Sequence, residues 1–283
     1  MNLFQALILG LVQGATEFLP VSSSGHLVLV PWLLGWNDPS NAWYLDPGDG
    51  FQMAFDVVLH LGTACAILAY FWRDWLDLLR AAFRAARDRS LADPKARLAL
   101  LILLGTVPAA LAGYFLEDVV ESAFSRPIAA AGFLLVTAAL LAASERMGRR
   151  DRQLEHLTWI DALLVGIGQA MALFPGISRS GSTIAAGLVR GVKRAPAARF
   201  SFLLATPIIF GAGSLKVVDL ILAGGLLSRI PVLIAGFVTA GIVGYLCIHL
   251  LLRYLQDRRL YPFAIYCVFA GIVCATVALI GLR

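Results

Sequence analysis

An amide and a carboxylate lie four residues apart near the start of the chain, at Gln13 and Glu17. On a helix this spacing places both side chains on one face. Their oxygen atoms suit a hard divalent cation such as Mg²⁺ or Ca²⁺. A single buried glutamate also serves as a hydrogen-bonded structural group or in a proton relay. The spacing therefore leaves metal binding and a structural role as alternatives.

Hydroxyl groups and an imidazole follow Pro20 closely, in the run Ser22, Ser23, Ser24, Gly25 and His26. Because proline ends one helical segment, these residues would begin the next, where backbone N–H groups and the helix dipole form an anion site. Ser23 and His26 have the chemistry of a nucleophile, and His26 also that of a general acid or base. Alternatively, these side chains pair with backbone groups at a helix break.

A second polar run follows Pro175 and Gly176 and contains Ser178, Arg179, Ser180, Gly181, Ser182 and Thr183. An arginine at membrane depth needs an anionic partner or an aqueous cavity. Its planar fork suits bidentate binding of phosphate. The alternative partner is Glu17, and that salt bridge also requires the two runs to meet. Together the groups indicate phosphoryl transfer to water from a phosphate ester with a lipid tail, since that chemistry depends mainly on positioning and charge neutralisation.

Composition places these residues in a membrane. Of 283 residues, 59% are apolar and 14% charged, whereas a soluble domain carries about a quarter charged residues. This balance excludes a soluble enzyme, a disordered chain and a nucleic-acid-binding module. The sequence predicts one all-α polytopic membrane domain over residues 1–283.

Six stretches are apolar enough to cross a bilayer, which takes roughly 20 residues each. They are residues 51–72, 98–116, 127–144, 200–222, 231–252 and 260–282.

The charges of the connections predict their sides. Residues 73–97, 145–158 and 253–259 are rich in arginine and read as cytoplasmic by the positive-inside rule. Residues 36–50 and 117–126 are mainly acidic and read as external. The six spans alternate consistently with this assignment.

Two further apolar stretches, residues 3–34 and 160–189, are interrupted by the polar runs. Unpaired backbone cannot face lipid, so each stretch is predicted to be a re-entrant helical hairpin buried among the spans. The first hairpin would enter from outside and the second from the cytoplasm.

A shift of 156 residues aligns the two hairpins without a gap. It superposes Gly10 on Gly166, Gln13 on Gln169, Phe18 on Phe174, Ser22 on Ser178, Ser24 on Ser180 and Gly25 on Gly181. Each copy, about 1–156 and 157–283, holds one hairpin and three spans. Because three is odd, the copies would lie in opposite orientation, as an inverted repeat of the kind frequent in transporters.

Long stretches of the chain also resemble a known family. They are QGATEFLPVSSSGHL at 13–27, LFPGISRSGSTIAAG at 173–187, FDVVLHLGT at 55–63, FSFLLATPIIFGAG at 200–213 and PFAIY at 262–266. With these motifs the chain resembles the undecaprenyl-pyrophosphate phosphatase family, also called bacitracin resistance proteins, over essentially its whole length.

The resemblance implies hydrolysis of undecaprenyl diphosphate to the monophosphate, which recycles the lipid carrier of peptidoglycan synthesis. It implies a divalent cation, Mg²⁺ or Ca²⁺, at Glu17 and Gln13, where glutamine in place of a second carboxylate weakens the metal site by one charge. The expected catalytic residues are His26, Ser23, Glu17 and Arg179. The expected phosphate-binding residues are Ser22, Ser24, Gly25, Ser178, Arg179, Ser180, Gly181 and Thr183.

The residues alone do not decide which side chain attacks the phosphorus atom. In one scheme Ser23 attacks with His26 as its base, and in the other His26 attacks phosphorus directly. We favour His26 as nucleophile or acid–base group, with Ser23 positioning the phosphate. Asp56 and His60 are either partners of the site or polar groups used in packing.

The resemblance also implies a multi-pass protein of the bacterial cytoplasmic (inner) membrane with its site facing the periplasm or exterior. The expected partners are the lipid diphosphate and membrane lipid, with no nucleic acid. The oligomeric state is open, a homodimer being one alternative. The competing function is a polyprenyl-phosphate transporter or flippase, which needs no nucleophile.

Overall fold

The computed structural model describes residues 1–41, 51–124, 126–223 and 229–282. Within these ranges the chain is helical and has no strand. The helices are α1 (Leu3–Phe18), α2 (Ser23–Leu33), α3 (Phe51–Tyr70), α4 (Trp72–Asp88), α5 (Pro94–Phe115), α6 (Glu117–Phe124), α7 (Pro127–Met147), α8 (Trp159–Met171), α9 (Arg179–Val189), α10 (Arg194–Ala223), α11 (Ile230–Asp257) and α12 (Tyr261–Leu279).

The prediction of a polytopic all-α membrane protein is confirmed. Five helices, α5, α7, α10, α11 and α12, are long and apolar enough to cross a membrane. A sixth is obtained if α3 and α4, which are bent by 77° at the break between them, are counted as one span. Each predicted stretch coincides for most of its length with one helix, residues 51–72 with α3, whereas α4 lies almost entirely in the predicted connection 73–97. Residues 42–50, part of the predicted external connection 36–50, lie outside the described residues.

The two predicted hairpins are present as pairs of short helices. The first is α1 and α2, which are separated by residues 19–22, and the second is α8 and α9, which are separated by residues 172–178. At 1.5 Å per residue the 16 residues of α1 are too short for a hydrocarbon core about 30 Å thick. Their entry sides and the inverted repeat stay predictions.

Small residues bring each hairpin close to a span. Gly10 and Gly14 of α1 face Gly236 and Ala240 of α11, and such small side chains allow two membrane helices to approach. A Cβ atom at position 14 would lie 2.7 Å from the Ala240 carbonyl oxygen. In the second hairpin, Gly166 of α8 packs in the same way on the backbone of α5. The first of these contacts fixes the helix that carries Gln13 and Glu17.

Two buried carboxylates tie the ends of the helices together. Glu145, at the end of α7, accepts hydrogen bonds from Arg194 Nη2 at 2.6 Å and from the backbone N–H of Leu260 at 2.8 Å. Asp161, near the start of α8, accepts from Arg152 Nη2 and Arg190 Nε, both at 2.6 Å. Asp161 therefore links the two ends of the second hairpin.

We expect Gly14→Ala to lower the thermal denaturation midpoint of the protein in detergent. The added methyl group meets backbone atoms that cannot rotate away, and overpacking of this kind costs about 1–3 kcal/mol. Gly132→Ala in α7 is the matched control, because a Cβ atom there would meet nothing within 4 Å. Equal midpoints for the two variants would contradict the close approach of α1 to α11.

Candidate active site

The breaks of the two hairpins lie directly against each other. The backbone N–H of Gly176 donates to Ser22 Oγ at 3.2 Å. Ser180 Oγ donates to the Leu19 carbonyl oxygen at 3.1 Å. A Cβ atom on Gly25 would lie 2.9 Å from the Gly176 Cα, so only glycine fits where the loops touch. We call residues 17–26 and 175–183 together the hairpin junction.

Serines begin both helices that follow the breaks. Ser22 caps α2 by accepting from the Gly25 N–H at 3.2 Å, and Ser178 caps α9 by accepting from the Gly181 N–H at 3.0 Å. Ser24 Oγ lies 3.3 Å from Ser22 Oγ, so its hydroxyl is at the same helix start. The junction therefore holds two helix N-termini, each a favourable place for an anion.

Glu17 connects the two hairpins electrostatically. Its carboxylate is buried and forms an ion pair with Arg179, the first residue of α9. Ser23 donates a hydrogen bond to the same carboxylate, and Gln13 Nε2 donates to it at 2.9 Å. Four side chains that the sequence nominated, Gln13, Glu17, Ser23 and Arg179, are thus in one cluster.

His60 of α3 also reaches this cluster. Its Nε2 lies 3.7 Å from Glu17 Oε2. Of the two alternatives for His60, the structure supports a partner of the site. No hydrogen bond or ion pair of the Asp56 side chain is found in the part of the chain that the structure describes.

His26 lies on α2 and is buried, but its ring contacts differ from those expected of a base for Ser23. Its Nδ1 is 2.7 Å from the Ser22 carbonyl oxygen, and its Nε2 is 2.6 Å from the hydroxyl of Tyr266 on α12. Both ring nitrogens are occupied by these partners, and Ser23 bonds to Glu17 instead. The pairing of Ser23 with His26 stays a hypothesis.

Two hydroxyls of the second run point into the protein around α9. Thr183 Oγ1 donates to the Arg179 carbonyl oxygen and lies 2.6 Å from Ser201 Oγ of α10. Ser182 Oγ donates to the Gly168 carbonyl oxygen at 2.7 Å. Both side chains hold α9 against its neighbours in this structure, and phosphate binding by Thr183 stays a prediction.

One residue that sequence reasoning missed anchors the second break. Thr137 of α7 is buried, donates to the Gly176 carbonyl oxygen at 2.8 Å and accepts from the Ser178 N–H at 2.9 Å. A lone threonine in an apolar span gives no signal of this role. The contact of Tyr266 with His26 was also missed, although Tyr266 ends the PFAIY segment.

Gln13 and Glu17 have a donor set that fits a divalent cation. Gln13 Oε1 is buried and has no hydrogen-bond partner among the described residues. One carboxylate and one amide oxygen are enough for Mg²⁺ when substrate phosphates supply further oxygens. The described ranges contain no group of three or more His, Cys, Asp or Glu side chains that could hold a metal ion.

Comparison with known proteins identifies the protein family of this chain. The family model described as bacitracin resistance protein BacA matches residues 6–273, a range that includes both hairpin breaks and Tyr266. The chain belongs to the BacA family.

Curated relatives of this BacA-family chain are similar over their full length. The undecaprenyl-diphosphatase of Desulforudis audaxviator is 42% identical, and the match covers 99% of both chains. The undecaprenyl-diphosphatase of Thermomicrobium roseum is 43% identical over 96% of this chain and 97% of its own. That of Pelobacter propionicus is 43% identical over 100% and 99%. The similarity thus extends across every element of the hairpin junction.

We expect Thr137→Val to lower both the thermal midpoint and the activity of the protein. The substitution nearly preserves shape but leaves a buried N–H and a buried carbonyl without a partner, each at a cost of about 1–3 kcal/mol. The measurements are thermal denaturation in detergent and turnover of the lipid substrate proposed below. Thr106→Val is the matched control, because Thr106 donates only within its own helix, to the Ile102 carbonyl oxygen. A Thr137→Val protein as stable as the control would rule out an anchoring role.

Proposed function

We propose that the protein hydrolyses undecaprenyl diphosphate to undecaprenyl phosphate and inorganic phosphate at the hairpin junction. The observation that carries this proposal is the Glu17–Arg179 ion pair, with Ser23 bonded to the same carboxylate. It brings an acidic group, a phosphate-binding group and a hydroxyl from two distant segments to one buried point. The names of the curated relatives support the same activity and substrate.

The junction has the groups that a diphosphate requires. Arg179 presents a fork that matches two phosphoryl oxygens, and its present partner is itself a carboxylate, so an incoming phosphate would compete with Glu17 for the guanidinium. The N-termini of α2 and α9 add partial positive charge on the same side. Phosphoryl transfer depends on such positioning and charge stabilisation. In the reaction the bond between phosphorus and the bridging oxygen breaks, water supplies the new oxygen, and a proton is released.

Ser23 and His26, both on α2, have different hydrogen-bond partners. The Ser23 hydroxyl is bonded to Glu17, so Ser23 is held where it can orient a phosphoryl oxygen. His26 keeps the role of nucleophile or acid–base group through its Nε2 atom, since Nδ1 is bonded to the backbone. This assignment predicts a phosphohistidine, and not a phosphoserine, if a covalent intermediate forms.

A divalent cation, Mg²⁺ or Ca²⁺, is part of the proposal. Glu17 and Gln13 would hold it, and it would supply charge neutralisation to the diphosphate when bound. Gln13 contributes its unpartnered Oε1 atom, while its Nε2 atom keeps the Glu17 carboxylate in place.

The charge pattern of the connections supports a location in the bacterial cytoplasmic membrane with the site open to the exterior. The connections 73–97, 145–158 and 253–259 carry most of the basic residues, so the first hairpin would enter from the opposite, external side. The prenyl tail would remain in the bilayer while the diphosphate enters the junction. Both hairpins come from one chain, so the proposed site does not require a homodimer.

The first test measures phosphate release from undecaprenyl diphosphate by the purified protein in detergent. Removal of a donor that acts on developing charge typically costs 10²–10³-fold, so we expect Arg179→Lys and His26→Ala each to lose at least about a hundredfold in kcat. Arg80→Ala, in the exposed part of α4, is the control and should retain full turnover. If the folded protein binds the lipid and releases no phosphate, the transporter alternative gains and the hydrolase proposal fails.

The second test concerns the cation. We expect a chelator to abolish turnover and Mg²⁺ to restore it. Gln13→Glu should lower the Mg²⁺ concentration for half-maximal turnover by about tenfold, because a second carboxylate adds one charge to the donor set. Turnover that is unaffected by chelator would remove the cation from the proposal and leave the hydrolase intact.

A further inference from the structure

The two hydrogen bonds of His26 fix which of its nitrogens carries the proton. A carbonyl oxygen can only accept, so Nδ1 must donate to the Ser22 carbonyl oxygen, 2.7 Å away. In a neutral imidazole the lone pair is then on Nε2. The atom at 2.6 Å from Nε2 is the Tyr266 hydroxyl oxygen, which has a proton to donate. In the resting site, therefore, Tyr266 covers the lone pair of His26.

Tyr266 belongs to a helix that lies along the first hairpin break. The neighbouring Cys267 Sγ is 3.8 Å from the Pro20 carbonyl oxygen, and the Tyr266 and His26 rings are stacked with centroids 5.7 Å apart. Tyr266 is 43% exposed, whereas His26 is buried. Tyr266, a partly exposed side chain, thus places its hydroxyl on the buried imidazole. This hydrogen bond is what α12 contributes to the site.

We propose that Tyr266 is a positioning residue for the hydrolysis: its hydroxyl holds Nε2 of His26 and releases that atom when the diphosphate enters. This rests on the proposed function, in which Nε2 is the reacting atom of His26. The Ser22 carbonyl and the Tyr266 hydroxyl together keep the imidazole in one tautomer and one orientation. During the reaction the tyrosine keeps its proton, so Tyr266 is not counted among the groups that exchange protons with the substrate.

The first measurement does not depend on activity. Ethoxyformylation by diethyl pyrocarbonate requires an accessible imidazole lone pair, so Tyr266→Phe should accelerate modification of His26. The expected factor is about tenfold, which corresponds to the loss of one hydrogen bond of ordinary net strength. Peptide mass spectrometry follows His26 separately from the other three histidines.

The chain offers a matched control in a second tyrosine–histidine pair. The Tyr70 hydroxyl lies 3.2 Å from His249 Nδ1, outside the hairpin junction. Tyr70→Phe should leave the modification rate of His26 and the turnover unchanged. An unchanged His26 rate in Tyr266→Phe would overturn the proposed contact, whatever the protein catalyses.

Kinetics distinguish positioning from packing. Tyr266→Phe should lower kcat/KM about tenfold, because fewer molecules of the free protein then hold His26 in the reactive tautomer and orientation; kcat should change by less than about twofold, because the hydroxyl has already left Nε2 in the substrate complex. A kcat/KM that is equal to or higher than that of the unmodified chain would overturn the positioning role even if His26 is uncovered.

¹⁵N spectra of the unmodified protein provide a check that needs no variant. With all four histidines labelled, His26 should show a protonated Nδ1 and a hydrogen-bonded, unprotonated Nε2. A protonated Nε2 would overturn the inference. Absence of phosphatase activity together with faster His26 modification in Tyr266→Phe would instead reject the hydrolase and leave the contact standing.

Discussion

The ion pair between Glu17 and Arg179 is the contact on which the arrangement of the two hairpins depends. Both groups lie in a polar cluster enclosed by apolar helices, where an isolated charge is costly. Each hairpin therefore places at its break a charge that is unfavourable unless the other hairpin is present. Truncating either partner would leave an uncompensated buried charge, which costs more than the pair itself contributes. The same constraint that joins the hairpins creates a polar site inside a membrane protein.

The backbone groups at the hairpin breaks also need hydrogen-bond partners, and this need further holds the two hairpins in place. A helix that stops inside a membrane exposes N–H and carbonyl groups that lipid cannot satisfy. Ser22 and Ser178 satisfy the first N–H groups of the following helices, and Thr137 satisfies two backbone groups of the second break. Arg179 and Ser23, each the first residue of its helix, are thereby held at fixed points. The capping side chains thus hold their neighbours in place, and phosphate binding by Ser22 and Ser178 themselves stays a prediction.

The parts of this site that could be predicted from the sequence are those where polar residues interrupt an apolar stretch. Proline, serine and arginine interrupt apolar stretches, so the hairpins, the helix starts and the partnership of Glu17 with Arg179 could be predicted from residue type. The roles of His60, Thr137 and Tyr266 could not be assigned, because each role depends on how α3, α7 or α12 packs against the hairpins. The partner of Ser23 was open for the same reason: the hydroxyl is six residues from Glu17 and three from His26, and only the path of the chain through the break decides which it meets.

Under the shift of 156 residues the reactive side chains of the two hairpins do not coincide. It places Ser23 opposite Arg179, Glu17 opposite Leu173 and His26 opposite Ser182. Gly25 and the capping Ser22 have counterparts in Gly181 and Ser178, whereas Gly176 corresponds to Pro20 and the reactive side chains differ. The first copy supplies the carboxylate and the imidazole, and the second supplies the guanidinium. A symmetric pair would place two carboxylates or two guanidinium groups against each other, which like-charge repulsion in a low dielectric disfavours. The difference between the two hairpins at these positions lets them attract each other through the Glu17–Arg179 ion pair.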